Sequence, residues 1–184
     1  MQVKINIDGG SRGNPGIGAA AYVICDKSGT VLAQEGYFMA HCTNNQAEYT
    51  ALKLALIKAK ELGAKELFIE SDSLLLVKQF LGEYKIKNPD LQARMKIIRV
   101  LQQPFIIHIK HVLREFNKAP DALANKAMDL QQTLGFNAIK YLPADEEICP
   151  VGMQVNGVEV TPVVREERQT APAAKKPHQP DLFD

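Results

Sequence analysis

The feature that most constrains this chain is a change in hydrophobic periodicity near residue 43. Before it, apolar and polar residues alternate in three runs separated by short polar turns, and Val3, Ile5 and Ile7 begin the first run. After it, apolar residues recur at helical spacing, and short apolar runs separate the helices. Strands with short connections pair antiparallel, whereas strands joined through helices tend to be parallel neighbours. The chain therefore predicts a mixed sheet.

The predicted order of elements is βββαβααβα, which is an α/β fold with a five-stranded mixed sheet, three strands antiparallel and then two parallel, flanked by helices. The first strand is predicted to end at Asp8, and the turn formers of Ser11–Gly16 predict a tight loop. The first and fourth strands are expected to adjoin, because a helix joins the meander to the fourth strand. This places Asp8 and Asp72 at the same end of the sheet.

The composition is that of a globular protein, with 46% hydrophobic and 23% charged residues and a net charge of +1. Neither a transmembrane run nor a secretory signal is visible, and the three cysteines have no metal-type spacing. We therefore predict reduced thiols, a cytoplasmic location and no membrane partner.

The hydrophobic pattern weakens after residue 131, and this predicts three regions. Residues 1–131 form the main domain, and residues 132–164 form an extension with a small hairpin around the Asn156-Gly157 turn. Residues 165–184 are rich in Pro, Gln and charge, which predicts a disordered tail.

Four acidic residues occupy positions that surface acids seldom take. Asp8 and Asp72 end apolar strands, Glu48 lies near the apolar face of a helix, and Asp121 begins the last helix. Each alone is also explained as a turn residue or a helix N-terminal acid. Together they predict one carboxylate cluster, whose mutual repulsion hard divalent cations would neutralise. Two such ions can activate water and stabilise a leaving oxygen in phosphodiester hydrolysis.

Four sequence blocks resemble the signature blocks of ribonuclease H type 1, in particular its compact bacterial and archaeal subgroup. They are DGGSRGNPGIGAAAYV at 8–23, TNNQAEYTALKLAL at 43–56, IESDS at 69–73 and REFNKAPDALANKA at 114–127. The resemblance covers roughly residues 1–130 in the order of the family, and each block supplies one of the four acids.

The resemblance implies a ribonuclease H-like fold and a metal-dependent endoribonuclease. Such an enzyme hydrolyses the RNA strand of an RNA–DNA hybrid and leaves 5′-phosphate and 3′-hydroxyl ends. Two Mg²⁺ ions, which Mn²⁺ can replace, are implied on the catalytic acids Asp8, Glu48, Asp72 and Asp121. The residues that correspond to substrate contacts are Gly9, Ser11, Asn14, Asn44, Asn45, Gln46, Ser73 and Arg114.

The chain departs from many relatives in two places. The loop before Asp121 has no histidine for product release or proton transfer, and Arg114 is the nearest candidate for that role. Only EYKIKNPD at 83–90 stands where larger relatives carry a basic extension, so the grip on the hybrid is expected to be weaker. Because the basic extension is small, a nuclease acting on double-stranded RNA is an alternative interpretation. A non-catalytic hybrid-binding adaptor tethered to the replication sliding clamp is another.

The C-terminal segment QPDLF resembles the peptide by which bacterial proteins dock on the replication sliding clamp. Leu182 and Phe183 would fill an apolar pocket, and Gln179 would form a hydrogen bond at its edge. The predicted partners are thus an RNA–DNA hybrid and the clamp, and the protein is predicted to be a monomer.

Overall fold

The computed structural model describes residues 1–135, 154–155 and 158–159. Within them the strands and helices follow the predicted order. The strands are β1 (Gln2–Gly13), β2 (Gly16–Cys25), β3 (Val31–Cys42), β4 (Glu66–Ser71), β5 (Ile106–His111), β6 (Gln154–Val155) and β7 (Val158–Glu159). The helices are α1 (Asn44–Glu61), α2 (Leu74–Phe80), α3 (Pro89–Leu101) and α4 (Lys118–Leu130), with a 3₁₀ helix at Arg114–Phe116 before α4.

The sheet has the strand order β5-β4-β1-β2-β3-β6-β7. The pairs β1–β2 and β2–β3 are antiparallel, whereas β1–β4 and β4–β5 are parallel. The prediction of a five-stranded mixed sheet is therefore confirmed. The short strands β6 and β7 pair antiparallel with each other, and β6 adds to the edge of β3 at Val31.

The helices cover the two faces of the sheet unequally. On one face α1 packs against β1 and β2 and carries the larger core, which includes Ile5, Ile7, Leu52 and Leu56. On the other face α4 packs against β2 and β3 through a smaller cluster of mostly alanine and leucine side chains. Burial of these apolar surfaces fixes both helices against the sheet.

The predicted end of the first strand is wrong. β1 continues past Asp8 to Gly13 and pairs with β2 along its whole length, so that only Asn14 and Pro15 remain in the turn. The Gly- and Ser-rich segment predicted as a loop is thus the far half of a long hairpin. Cross-strand pairing with β2 outweighs the turn preference of these residues.

The cysteines also differ from the prediction. Cys42 is a free, buried thiol, whereas Cys25 is disulfide-bonded, so the prediction of reduced thiols is wrong for Cys25. An odd number of cysteines still allows one bonded pair. Among the helices of the described ranges, none combines the length and the apolar character that a bilayer crossing needs.

Candidate active site

Asp8 and Asp72 lie side by side on neighbouring parallel strands. Ile7 and Ser71 form the last registered pair of β1 and β4, and each aspartate is the next residue of its chain segment. The two carboxyl groups share a hydrogen bond. Burial, followed by the negative charges of Asp72 and Asp121, raises the pKa of Asp8 to about 7. Asp8 therefore holds its proton up to neutral pH when no cation is bound.

Glu48 reaches the same place from the first turns of α1, because this helix approaches β1 very closely at Gly9. A Cβ atom added to Gly9 would lie 2.3 Å from the backbone nitrogen of Glu48. Asn44 Nδ2 donates to Glu48 Oε1 at 3.1 Å, and Ser73 Oγ donates to Oε2 at 2.5 Å. Burial, with a smaller contribution from Asp72, still raises the pKa of Glu48 to about 7.

Asp121 lies in the first turn of α4, on the other side of the sheet. Arg114 Nη2 donates to Asp121 Oδ1 at 2.5 Å, and Asn125 Nδ2 donates to Oδ2 at 3.2 Å. The Arg114 side chain is 75% exposed, so water screens this ion pair. Nearby carboxylates, above all Asp121, raise the pKa of Arg114.

All four acids line one polar cleft of about 290 Å³. The cleft is bounded by the far half of β1, the start of α1, Asp72 after β4, and α4. The predicted site residues that the structure brings together here are Asp8, Gly9, Ser11, Asn44, Glu48, Asp72, Arg114 and Asp121. Residues that are more than a hundred positions apart in the sequence thus share one anionic surface.

The other predicted substrate contacts lie around this cleft. Asn14 Oδ1 accepts a hydrogen bond from the backbone N–H of Asn44 at 3.1 Å, which ties the β1–β2 turn to the start of α1. Gln46 completes the capping box of α1 with Thr43 and donates to Asp90 on α3 at 2.9 Å. Asn45 lies in the first turn of α1. The structure therefore forms a polar strip from the β1–β2 turn across α1 to α3.

Among the predicted residues that the structure describes, Ser73 does not line the cleft or its rim. Ser73 contacts Glu48 and caps α2, so in the structure it belongs to the acid cluster. Gln179, Leu182 and Phe183 lie outside the described residues.

Two asparagines that the sequence interpretation missed hold the acids. Asn117 Nδ2 donates to Asp72 Oδ1 at 3.1 Å, and Asn125 donates to Asp121. Asn117, Asp121 and Asn125 are spaced by four residues, which places them along one face of a helix. That spacing is the signal that could have found Asn125, which contacts Asp121 one turn away.

The four carboxylates offer only oxygen ligands, the donor type that Mg²⁺ and Mn²⁺ prefer. Within the described ranges, however, no group of three or more acidic, histidine or cysteine side chains stands in an arrangement that could hold one ion. Glu48, Asp72 and Asp121 instead receive hydrogen bonds from Ser73, Asn117 and Arg114. The donor set suits a hard cation. A cation bound there would compete with Arg114 for Asp121, whereas Asn117 donates to only one of the two carboxylate oxygens of Asp72.

The mixed sheet and its acid-lined cleft define a protein of the ribonuclease H-like fold. The chain matches the family described as reverse transcriptase-like over residues 6–127. It is 40% identical over 129 residues to the ribonuclease HI of Halobacterium salinarum, covering 70% of this chain and 65% of that protein. The crystal structure of that RNase H1 matches with a TM-score of 0.68 and 39% identity, over 70% of this chain and 98% of that one.

Two further relatives are similar over the same region. The N-terminal RNase H domain of Rv2228c from Mycobacterium tuberculosis, solved as a fusion with maltose-binding protein, matches with a TM-score of 0.68 and 40% identity, over 70% of this chain and 100% of that one. LC11-RNase H1 in complex with an RNA/DNA hybrid matches with a TM-score of 0.67 and 34% identity, over 70% of this chain and 98% of that one. The chain belongs to the ribonuclease H family. It spans 65% of the length of the Halobacterium relative and 36% of full-length Rv2228c.

Proposed function

We propose that this protein is an endoribonuclease that hydrolyses the RNA strand of RNA–DNA hybrids with two bound Mg²⁺ ions, which Mn²⁺ can replace. The products are 5′-phosphate and 3′-hydroxyl ends. The observation that carries the proposal is the convergence of four acids from β1, α1, β4 and α4 on one cleft. Membership of the ribonuclease H family and the hybrid bound to LC11-RNase H1 support the choice of substrate.

Asp8, Glu48, Asp72 and Asp121 would hold the ions. When bound, the ions activate a water molecule and stabilise the leaving 3′ oxygen. Asp8 and Glu48, whose pKa values are raised mainly by burial and further by the charge of Asp72, fit this role, because a bound cation would stabilise their ionised forms.

The remaining cleft residues would bind the substrate. Arg114, which is largely exposed beside Asp121, would contact a phosphate of the RNA strand. Asn14 and Asn44 are joined by a hydrogen bond on the rim, where they would contact the hybrid and fix its register. A hydrogen bond from a ribose 2′-hydroxyl to Glu48 would distinguish RNA from DNA.

A substrate panel tests this function against its alternatives. Full-length protein is incubated with a labelled hybrid, an RNA duplex and a DNA duplex, each with Mg²⁺ or with EDTA. The proposal expects cleavage of only the RNA strand of the hybrid, and only with Mg²⁺. Comparable cleavage of the RNA duplex would identify a double-stranded RNA nuclease, and binding of the hybrid without cleavage would identify an adaptor.

We also propose that the protein is a monomer and that its QPDLF segment docks on a replication sliding clamp. Docking would raise the local concentration of the enzyme at replicating DNA, where hybrids arise. Co-elution of the full-length protein with a purified bacterial clamp, lost on joint Leu182→Ala and Phe183→Ala substitution, is the expected result. Failure of the intact protein to co-elute contradicts the docking proposal.

A further inference from the structure

Asn117 is a buried asparagine whose side chain forms hydrogen bonds with residues outside its own helix. It occupies the N-cap position of α4, yet its side chain forms no capping hydrogen bond there. A capping side chain typically stabilises a helix by about 1 kcal/mol. The Asn117 residue is instead only 1% exposed and its side chain points towards β1 and β4.

All the polar atoms of this amide are engaged. Nδ2 donates to the backbone carbonyl of Ile7 at 2.8 Å and to Asp72 Oδ1 at 3.1 Å. Oδ1 accepts from Asn6 Nδ2 at 3.2 Å. The Ile7 carbonyl can only accept, so Nδ2 must face it, and the same orientation directs the second N–H at Asp72.

The far end of this network is anchored on charged groups. Asn6 Nδ2 also donates to Glu70 Oε2 at 3.1 Å, and Glu70 forms ion pairs with Lys4 at 3.1 Å and Lys110 at 3.0 Å. Asn6 is therefore held on a carboxylate that two lysines fix, and it in turn fixes the Asn117 amide.

The position of the amide matters because registered pairing of β1 and β4 stops just before Asp8 and Asp72. Beyond that pair, the backbone ladder no longer sets the distance between the two aspartates. Asn117 bridges the gap, because it holds the β1 backbone at Ile7 and the Asp72 carboxylate with one rigid amide. Without it, repulsion from neighbouring carboxylates would turn Asp72 away from the cluster.

We propose that Asn117 is a positioning residue, which orients the Asp72 carboxylate towards Asp8 so that the pair can hold a divalent cation. The inference rests on the proposed function, since it assigns Asp72 to a metal site. Hydrogen-bonding partners of metal ligands typically contribute 10- to 100-fold to metal affinity or activity. We therefore expect Asn117→Ala to lower kcat by about 10- to 100-fold and to weaken Mn²⁺ binding by about tenfold or more. KM for the hybrid should stay within about threefold, because Asn117 is buried beneath the cleft.

The experiment measures kcat and KM on a hybrid and, independently, Mn²⁺ affinity by electron paramagnetic resonance. Asn88→Ala is the matched control, because it removes an asparagine that caps α3 through the backbone N–H groups of Asp90 and Leu91. The control should lose stability while kcat and Mn²⁺ affinity stay within about twofold, since its cap is local. Folded Asn117→Ala protein with wild-type kcat and Mn²⁺ affinity overturns the proposal.

If Asn117→Ala does not fold, a second variant, Asn6→Ala, tests the proposal instead. It leaves both Asn117 donors in place but removes the group that orients them, so we expect a smaller loss, about 3- to 10-fold, in kcat and Mn²⁺ affinity. Wild-type values for folded Asn6→Ala would then overturn the proposal. Wild-type protein that binds Mn²⁺ without cleaving any hybrid refutes the proposed function alone, and the affinity measurement still decides the role of Asn117.

Discussion

Replacing Asp8 with asparagine should stabilise the metal-free protein, although Asp8 is expected to be essential for activity. Asparagine has nearly the same shape, and it cannot ionise. In the wild-type protein, ionisation of Asp8 is opposed first by burial and then by the charges of Asp72 and Asp121. The Asp8→Asn substitution removes this penalty and leaves the fold of β1 unchanged.

The size of the gain follows from the pKa. The Asp8 pKa rises from 3.8 to about 7, and a tenfold change in an ionisation constant corresponds to about 1.4 kcal/mol, so the ceiling is about 4 kcal/mol. Asp8 is partly accessible to water, which lowers the effective penalty. We therefore expect the free energy of unfolding to increase by about 1–3 kcal/mol at pH 8.

The stability gained by Asp8→Asn should depend on pH. A carboxyl group with a raised pKa in the folded state loses its stabilising contribution as pH rises from the unfolded pKa to the folded pKa. The advantage of Asp8→Asn should therefore be near zero below pH 4, grow between pH 4 and pH 7, and level off above pH 7. At pH 4 it should be under half of its value at pH 8.

Urea unfolding in EDTA at pH 4 and pH 8 measures this difference. Asp129→Asn is the matched control, because it removes the same charge from an exposed ion pair with Arg12. That substitution should give no gain at either pH. A destabilised Asp8→Asn protein, or a gain of equal size at both pH values, would refute the assignment of Asp8 to a buried carboxylate cluster.

Three further perturbations test the site. The Mg²⁺ concentration for half-maximal cleavage should rise about tenfold from pH 8 to pH 6, because the cation must displace a proton held with a pKa near 7. A half-maximal Mg²⁺ concentration that does not change with pH would contradict this. Gly9→Ala should lower the free energy of unfolding in urea by about 2–3 kcal/mol and remove most of the activity, because its Cβ would meet the α1 backbone beside Glu48. The control Gly10→Ala should cost little, because the nearest neighbour of its Cβ is a side-chain atom at 3.7 Å. Equal costs for the two variants would refute the close approach of α1 to β1. Arg114→Ala should raise KM for the hybrid and lower the Mg²⁺ concentration needed for cleavage, because Arg114 no longer competes for Asp121. Arg114→Lys should have KM and Mg²⁺ requirements between those of Arg114→Ala and wild type. An increased Mg²⁺ requirement in Arg114→Ala would count against this competition.

The sequence predicts the order of the elements well because hydrophobic periodicity reports which residues face the core. It fails at β1, where Gly9, Gly10 and Ser11 have turn-forming preferences but pair with β2. It finds the four acids, since ionisable groups beside apolar strands and helix faces are conspicuous. It misses Asn117, because the partners of that amide lie 110 and 45 residues away and only the folded chain brings them together.

Anomalous scattering from Mn²⁺ in crystals of the full-length protein with an uncleaved RNA–DNA hybrid tests the central claim most directly. Two Mn²⁺ peaks are expected in the cleft, with ligands drawn from Asp8, Glu48, Asp72 and Asp121, beside a phosphate of the RNA strand. A hybrid bound elsewhere, or Mn²⁺ held by none of these four carboxylates, would contradict it.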